Sequence, residues 1–280
     1  MKVAVTGASG FVGRHVVAAL VARGIAPVAT LGPNTARPPW LSDLEVVRLD
    51  TSKPPANPYS ELGRPDVLLH LAWGGLPNYR SPHHIEQELP AHCDFLRSMV
   101  RGGLGTLLVA GTCLEYGMQS GALSEGLDPH PAIPYATAKD SLRRQLEQLC
   151  LLRPFHLTWA RMFYLFGEGQ SAASLLPQLR QAVADGAAGF DMSGGEQLRD
   201  YLPVDQAARH LVSLALTQRS NGVVNVCSGR AVSVRTMVER WIEENGWSIR
   251  LNLGKYPYPD YEPMAFWGDP RKLERCLEWR

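Results

Sequence analysis

The sequence predicts an α/β fold, a doubly wound parallel sheet with a smaller C-terminal lobe. Three observations point to it. Short apolar runs alternate with helix-like segments through the first half of the chain. The first run, Val3-Ala4-Val5, leads directly into the glycine-rich turn of residues 6–13 (TGASGFVG). That turn opens an amphipathic stretch with Val12, Val16, Val17, Leu20 and Val21 on one face, so strand, tight turn and helix follow one another.

Taken in order, strands are expected at 2–6, 26–30, 45–49, 67–71, 106–110 and 156–161, each an apolar run bounded by turn residues. Helices are expected at 11–23, 84–101 and 135–152. After Arg161 the pattern loosens. Glycine-rich pieces at 167–169 and 192–195 alternate with helical runs at 174–184, 205–217 and 233–245, and residues 256–263 are rich in tyrosine and proline. The reading is a dinucleotide-binding domain over 1–161 and a mainly substrate-binding lobe over 162–280, interleaved with late elements of the sheet. Ligands of such a sheet bind at the carboxyl ends of its strands.

Composition sets the outer bounds. The 280 residues are 45% hydrophobic and 20% charged, ordinary for a soluble globular protein. A formal net charge of +1 gives no reason to expect nucleic acid or an anionic membrane surface as partner. No apolar run approaches the roughly 20 residues that span a bilayer. The N-terminus enters a strand without a signal-peptide pattern, and the five cysteines (93, 113, 150, 227, 276) include no CxxC pair. A cytoplasmic protein with reduced thiols is expected. His83 and His84 have no acidic or cysteine partners at ligand spacing, so they read as a helix start or surface pair and no metal is predicted.

Two clusters carry the chemistry. In the turn, Gly7 lets the chain reverse sharply, Gly10 lets the backbone approach a pyrophosphate, and Gly13 lets the helix pack close, with phosphates at the helix's positive end. Downstream, Tyr135 and Lys139 stand at i and i+4 and share one helix face. An ammonium beside a phenol lowers its pKa from about 10 and suits it to proton transfer. Thr112, at the carboxyl end of an apolar run, could hydrogen-bond the same substrate oxygen. Hydroxyl, tyrosine and lysine form a complete hydride-transfer site beside a dinucleotide.

With these motifs, the chain resembles an extended short-chain dehydrogenase/reductase of the NAD-dependent epimerase/dehydratase group, whose members act mostly on nucleotide sugars. The resemblance extends over TGASGFVG, Asp50, the 69–72 segment LHLA, the 111–117 segment GTCLEYG, YATAK at 135–139, RMFYLFG at 161–167, RDYLPVD at 199–205 and NVCSG at 225–229. It implies a Rossmann-type fold. It also implies that Gly7, Ser9, Gly10, Phe11, Val12 and Gly13 line the pyrophosphate, that Asp50 accepts from the adenine amino group, and that Leu71, Ala72 and Trp73 lie along the cofactor. Thr112, Tyr135 and Lys139 would be catalytic, Lys139 also holding the nicotinamide ribose, and Arg199 would reach the substrate's phosphates. Relatives pair the helices at 84–101 and 135–152 across a four-helix interface, so a homodimer is expected.

Departures from the family pattern narrow the activity. Residues 28–37 hold no acid for the ribose hydroxyls, while Arg37 or Arg14 could pair with a 2′-phosphate, so NADP(H) is favoured and NAD(H) remains possible. Cys113-Leu114 replaces the acid pair of 4,6-dehydratases, which argues against water loss, and Cys113 itself reads as packing. Glu115 either touches the sugar or faces solvent. Tyr164 stands where many relatives place an asparagine on the diphosphate. The second phosphate-binding arginine is missing, with Lys255 as its stand-in, and Asn78 follows a strand lining the site. The expected activity is reduction of a nucleotide-linked 4-keto-6-deoxy sugar. A C4 epimerase with retained NAD is the alternative, and a non-catalytic dinucleotide sensor the reading outside enzymes.

Overall fold

The computed structural model describes residues 1–218 and 220–277. Its first half runs β1 (Val3–Thr6), α1 (Phe11–Val21), β2 (Val28–Leu31), β3 (Val46–Arg48), the short α2 (Pro58–Glu61), β4 (Val67–His70), α3 (Leu89–Gly102), β5 (Thr106–Thr112), β6 (Gly121–Leu123), α4 (Pro134–Leu152) and β7 (His156–Met162). The second half runs β8 (Tyr164–Phe166), α5 (Leu175–Ala184), β9 (Gly189–Asp191), β10 (Leu198–Pro203), α6 (Val204–Thr217), β11 (Gly222–Val226), β12 (Ala231–Ser233), α7 (Val234–Asn245), β13 (Arg250–Asn252), β14 (Phe266–Gly268) and α8 (Arg271–Leu277).

Seven strands form one sheet in the order β11-β7-β5-β4-β1-β2-β3, every pairing parallel. This is the doubly wound α/β sheet that the alternation predicts. Parallel strands buried on both faces need to be apolar throughout, and β1, β2 and β4 have every residue buried. One face is covered by α1 and α6, whose Val16, Val17, Leu20, Leu211 and Leu214 close a core with Val3, Val5 and Leu69. The other is covered by α3 and α4 through Phe95, Leu96, Met99, Leu142 and Leu146. Truncating a side chain such as Leu20 to Ala would cost about 2–5 kcal/mol. The direction of winding reverses between β1 and β4, which opens a crevice at their carboxyl ends.

Most apolar side chains of the two helices expected to pair with a second subunit serve this chain's own core. Phe95, Leu96, Met99, Leu142 and Leu146 are buried against the sheet, whereas Ile85 stays 41% exposed. A second core gathers Leu176, Leu179, Phe190, Met237 and Trp241 between α5, α7 and the short strands.

Major elements lie within two residues of their expected ends, with one exception. The helix expected over 84–101 starts as a π-helical turn, His84–Glu88, before α3 begins. Pro90, in the first turn of α3, has no N–H for the regular helical bond, and the widened turn accommodates it.

Candidate active site

The glycine turn is a close-packed cradle. Gly7 has φ +73°, and a Cβ there would lie 2.8 Å from the Ala72 nitrogen. A Cβ on Gly13 would lie 2.0 Å from the Gly7 carbonyl oxygen, so α1 can approach β1 this closely only without a side chain. Gly10 is the N-cap of α1, no side chain caps the helix, and its first turn holds no acid. The helix thus presents free N–H groups and its positive end to the crevice, with Ser9, Phe11 and Val12 alongside, which fits a dinucleotide pyrophosphate. Asp50 follows β3, its carboxylate accepting from the N–H and hydroxyl of Ser52 at 2.9 and 2.6 Å; the hydroxyl bond lowers its pKa.

Leu71, Ala72 and Trp73 leave β4 beside this cradle and are fixed by a buried polar chain. Thr6 Oγ1 meets His70 Nδ1 at 2.8 Å, His70 Nε2 meets His92 Nδ1 at 2.8 Å, and His92 Nε2 reaches Glu88 Oε2 at 3.0 Å. The other Glu88 oxygen lies 3.0 Å from His83 Nε2, and the Gly74 N–H donates to Oε2 at 2.7 Å. Burial pushes the Glu88 carboxyl up, but the His92 and Gly74 hydrogen bonds outweigh it and hold the pKa at about 2. Burial depresses both His70 and His92. His84 is fully buried rather than superficial, receiving the Trp73 indole N–H and contacting the Asn78 carbonyl. Asn78 itself is exposed on the same loop. Among the described residues, no three His, Cys, Asp or Glu side chains converge as a metal ligand set.

Thr112, Tyr135 and Lys139 converge at the carboxyl end of β5. Thr112 ends the strand and caps the turn after it, its hydroxyl accepting from the Leu114 N–H at 3.2 Å. Tyr135 enters in the first turn of α4, 8% exposed, its N–H donating to the Tyr79 carbonyl at 3.1 Å. Trp73, Tyr79 and His84 surround its ring. Lys139 Nζ donates to the Ala110 carbonyl at 3.0 Å and lies 3.9 Å from the Trp73 ring centroid and 6.0 Å from that of Tyr135.

The electrostatics correct one expectation. Burial, followed by Tyr79, Glu115 and Cys113, pushes the Tyr135 phenol up; the Thr112 hydroxyl pulls it back only in part. The phenol is therefore held protonated, as an acid rather than a phenolate. Burial lowers Lys139 to about 7, opposed by Glu115 and Glu88.

Glu115 is neither a sugar contact nor a solvent-facing residue. It is fully buried and accepts from the Thr112 N–H at 2.8 Å, the Trp159 indole at 3.0 Å and Arg161 Nε at 2.7 Å. Three donors leave the carboxylate no reach toward a ligand. Cys113 packs with Tyr116, Phe163 and Phe266, and burial pushes its thiol up.

Arg37 also departs from its expected place. Its guanidinium donates to the carbonyls of Leu41, Ser42 and Leu44, closing its own loop rather than reaching for a phosphate. Arg14 lies over the Trp40 ring and pairs with Glu168 at 2.8 Å. Arg48, not singled out in the sequence, donates to the carbonyls of Gly32, Pro33 and Thr35 just after β2.

On the far wall, Arg199 of β10 is 3% exposed and donates to Glu262 Oε2 at 2.9 Å. Tyr164 stands beside it, the guanidinium carbon 5.7 Å from its ring centroid. Lys255 is exposed and anchored by its own N–H to the Met192 carbonyl; Glu262, further along the same segment, is what reaches Arg199. Next to Arg199, the buried Asp200 accepts from the N–H groups of Ser228, Gly229 and Gly268 and ties three segments together. Asp200 lies within the RDYLPVD segment, whereas Glu262 carries no sequence signal of its own, because it acts on a partner distant along the chain.

Comparison with known proteins agrees with the fold. The family model described as NAD dependent epimerase/dehydratase family matches residues 3–227. The chain is 30% identical over 270 residues to the dTDP-6-deoxy-L-talose 4-dehydrogenase (NAD(+)) of Aggregatibacter actinomycetemcomitans, covering 96% of this chain and 99% of that protein. It is 29% identical over 251 residues to the GDP-6-deoxy-D-mannose reductase of Pseudomonas aeruginosa, covering 84% and 77% respectively. Among solved structures, MoeE5 in complex with UDP-glucuronic acid and NAD superposes with a TM-score of 0.83 at 26% identity, over 100% of this chain and 93% of that one. By this match over most of its length, the chain belongs to the NAD-dependent epimerase/dehydratase family.

Proposed function

We propose that the protein is a nicotinamide-dinucleotide-dependent oxidoreductase that reduces the 4-keto group of a nucleotide-linked 6-deoxy sugar. The observation that carries this reading is the meeting of Thr112, Tyr135 and Lys139 at the end of β5, beside a turn that fits a dinucleotide. Two relatives of known activity, a 6-deoxy-talose 4-dehydrogenase and a 6-deoxy-mannose reductase, act on nucleotide-linked 6-deoxy sugars and support the substrate class. On this reading residues 1–161 hold the cofactor and 162–280 hold most of the substrate.

A dinucleotide held at the turn of residues 6–13 would supply the hydride. The chain's own groups handle the oxygen. Tyr135, kept protonated by burial, delivers its proton to the oxygen that gains charge at C4, and Thr112 donates a second hydrogen bond to that atom. Lys139 is fixed by the Ala110 carbonyl and the Trp73 ring, and in its protonated form it favours the phenolate left behind. Arg199 is the cation available for the diphosphate. With Arg37 and Arg14 both engaged, we propose NAD(H) as a competent cofactor, with no strong preference for NADP(H).

The test is oxidation of NADH and NADPH by the purified protein with dTDP-, GDP-, UDP- and CDP-linked 4-keto-6-deoxy sugars. Turnover with at least one is expected. No turnover, together with a cofactor that co-purifies and a 4-hydroxy sugar that is inverted, would favour the epimerase.

A further inference from the structure

The buried imidazole of His84 has both ring nitrogens in use. The Trp73 indole N–H donates to Nδ1 at 3.1 Å, and Nε2 stands 2.8 Å from the Asn78 carbonyl oxygen. An indole N–H only donates and a carbonyl only accepts, so these partners select the neutral tautomer with its proton on Nε2.

The backbone is shaped for this contact. A Cβ on Gly74 would lie 2.6 Å from Glu88 Oε1. One on Gly75, at φ +76°, would lie 3.0 Å from His83 Cδ2 and 3.2 Å from His84 Cε1. Glycines therefore let the chain after Trp73 run close against the π-helical turn His84–Glu88. Such turns are rare and concentrate at functional sites. Here the first residue of the turn accepts from Trp73 and the last accepts from Gly74.

The Trp73 ring in turn serves the site. Its centroid lies 3.9 Å from Lys139 Nζ, and it meets the Tyr135 ring edge-on at 6.1 Å. The His92 imidazole lies within 9° of parallel to it at 4.6 Å. An aromatic ring attracts a cation at its face and repels it at its edge. The orientation of the indole therefore decides whether Lys139 gains or loses from this neighbour. The stack on His92 and the bond to His84 together fix that orientation, and of the two only the bond is directional.

We propose that His84 is a positioning residue for proton transfer: by holding the Trp73 indole N–H, it keeps the face of that ring toward the Lys139 ammonium beside Tyr135. The proposal rests on the reading of Tyr135 and Lys139 as the proton-transfer pair, and it adds the residue that orients their aromatic neighbour. The titratable groups around Lys139 are Tyr135 on its own helix, Glu115 after β5, Glu88 on the π-helical turn, His92 on α3 and His70 on β4. Burial opposes the ammonium, the two carboxylates favour it, and the ring face acts with the carboxylates.

The test reads Lys139 directly, by NMR titration of its Cε resonance in the cofactor-free protein, the signal being identified by its loss in Lys139→Met. His84→Leu removes the acceptor and should lower the midpoint by about half to one pH unit, the scale of one face-on cation contact. With cofactor and a nucleotide-linked 4-keto-6-deoxy sugar, kcat should fall roughly three- to tenfold while KM stays within about twofold. His84→Gln, whose amide can accept from the indole and donate to the carbonyl, should recover most of both losses. Trp73→Phe keeps a ring but has no N–H, so it should lower the midpoint by itself. In that background His84→Leu should shift neither reading further, which isolates the pair. If the midpoint in His84→Leu, or in Trp73→Phe should the first variant not fold, equals that of the unaltered protein, the tether is overturned. Additive losses in the double variant overturn it as well. If the unaltered protein turns over no nucleotide-linked 4-keto sugar, the proposed activity falls, and the midpoints still decide the tether.

Discussion

Glu115 Oε1 accepts the Thr112 backbone N–H at 2.8 Å while Oε2 lies 2.7 Å from Arg161 Nε, so one buried carboxylate joins the strand-end threonine to a buried arginine. Both side chains are essentially sealed from solvent, at 0% and 1% exposure. Removing one partner of such a pair leaves an uncompensated charge in the core, at a cost of about 3–5 kcal/mol. Glu115→Ala should therefore lower stability by that order in urea unfolding. Glu115→Gln, which can still accept from the Trp159 indole, should fold but turn over more slowly as Thr112 shifts. A Glu115→Gln enzyme with unchanged kcat would remove Glu115 from any role in positioning Thr112.

Tyr135→Phe should retain dinucleotide binding, because the phenol oxygen is the only group lost. Turnover should fall by about 10²–10⁴, the usual contribution of a positioned proton donor. Stopped-flow NADH oxidation with the true substrate gives the rate, and fluorescence titration gives cofactor affinity. A rate within threefold of the unaltered enzyme would reject Tyr135 as the donor.

Lys139 gives the protein a pH signature in the absence of cofactor. Burial holds it at about 7 in the folded chain, against about 10.4 when unfolded. Between those values the unfolded chain binds the extra proton, so stability rises with pH from 7 upward, by at most about 1.4 kcal/mol per pH unit. The depressed His70 and His92 titrate below this window, and the raised cysteines titrate above about 9. Urea midpoints between pH 7 and 8.5 should climb for the natural chain and stay flat for Lys139→Met. Parallel slopes would show that Lys139 is not the group titrating there.

The parts legible in the sequence are those coded by short-range spacing. The turn at 6–13, the Tyr135–Lys139 step and the alternating apolar runs each fix a local geometry that long-range packing leaves intact. Glu88 and Glu262 carry no site signal in the sequence, and Glu115 reads there as a sugar contact or a solvent-facing residue rather than a buried one, because a glutamate carries the same local signal in a core as at a surface. Their partners Arg161, Trp159, Gly74 and Arg199 lie far along the chain and meet them only after the sheet is wound. Arg37 misled for the converse reason: a loop arginine free on paper folds onto its own carbonyls.

That difference decides the cofactor experiment. Arg37→Ala should leave the NADPH/NADH affinity ratio unchanged and lower stability by about 1 kcal/mol as the loop at 37–44 loses its internal hydrogen bonds. Arg14 is held away from a phosphate by its pair with Glu168 and by the Trp40 ring. Glu168→Ala should therefore release Arg14 toward the turn and move the ratio in favour of NADPH, whose extra phosphate supplies the charge that Glu168 now provides. Isothermal titration of both cofactors against the two variants separates the alternatives. A ratio that moves with Arg37→Ala but not with Glu168→Ala would place the 2′-phosphate at the β2 loop and restore Arg37 as its partner.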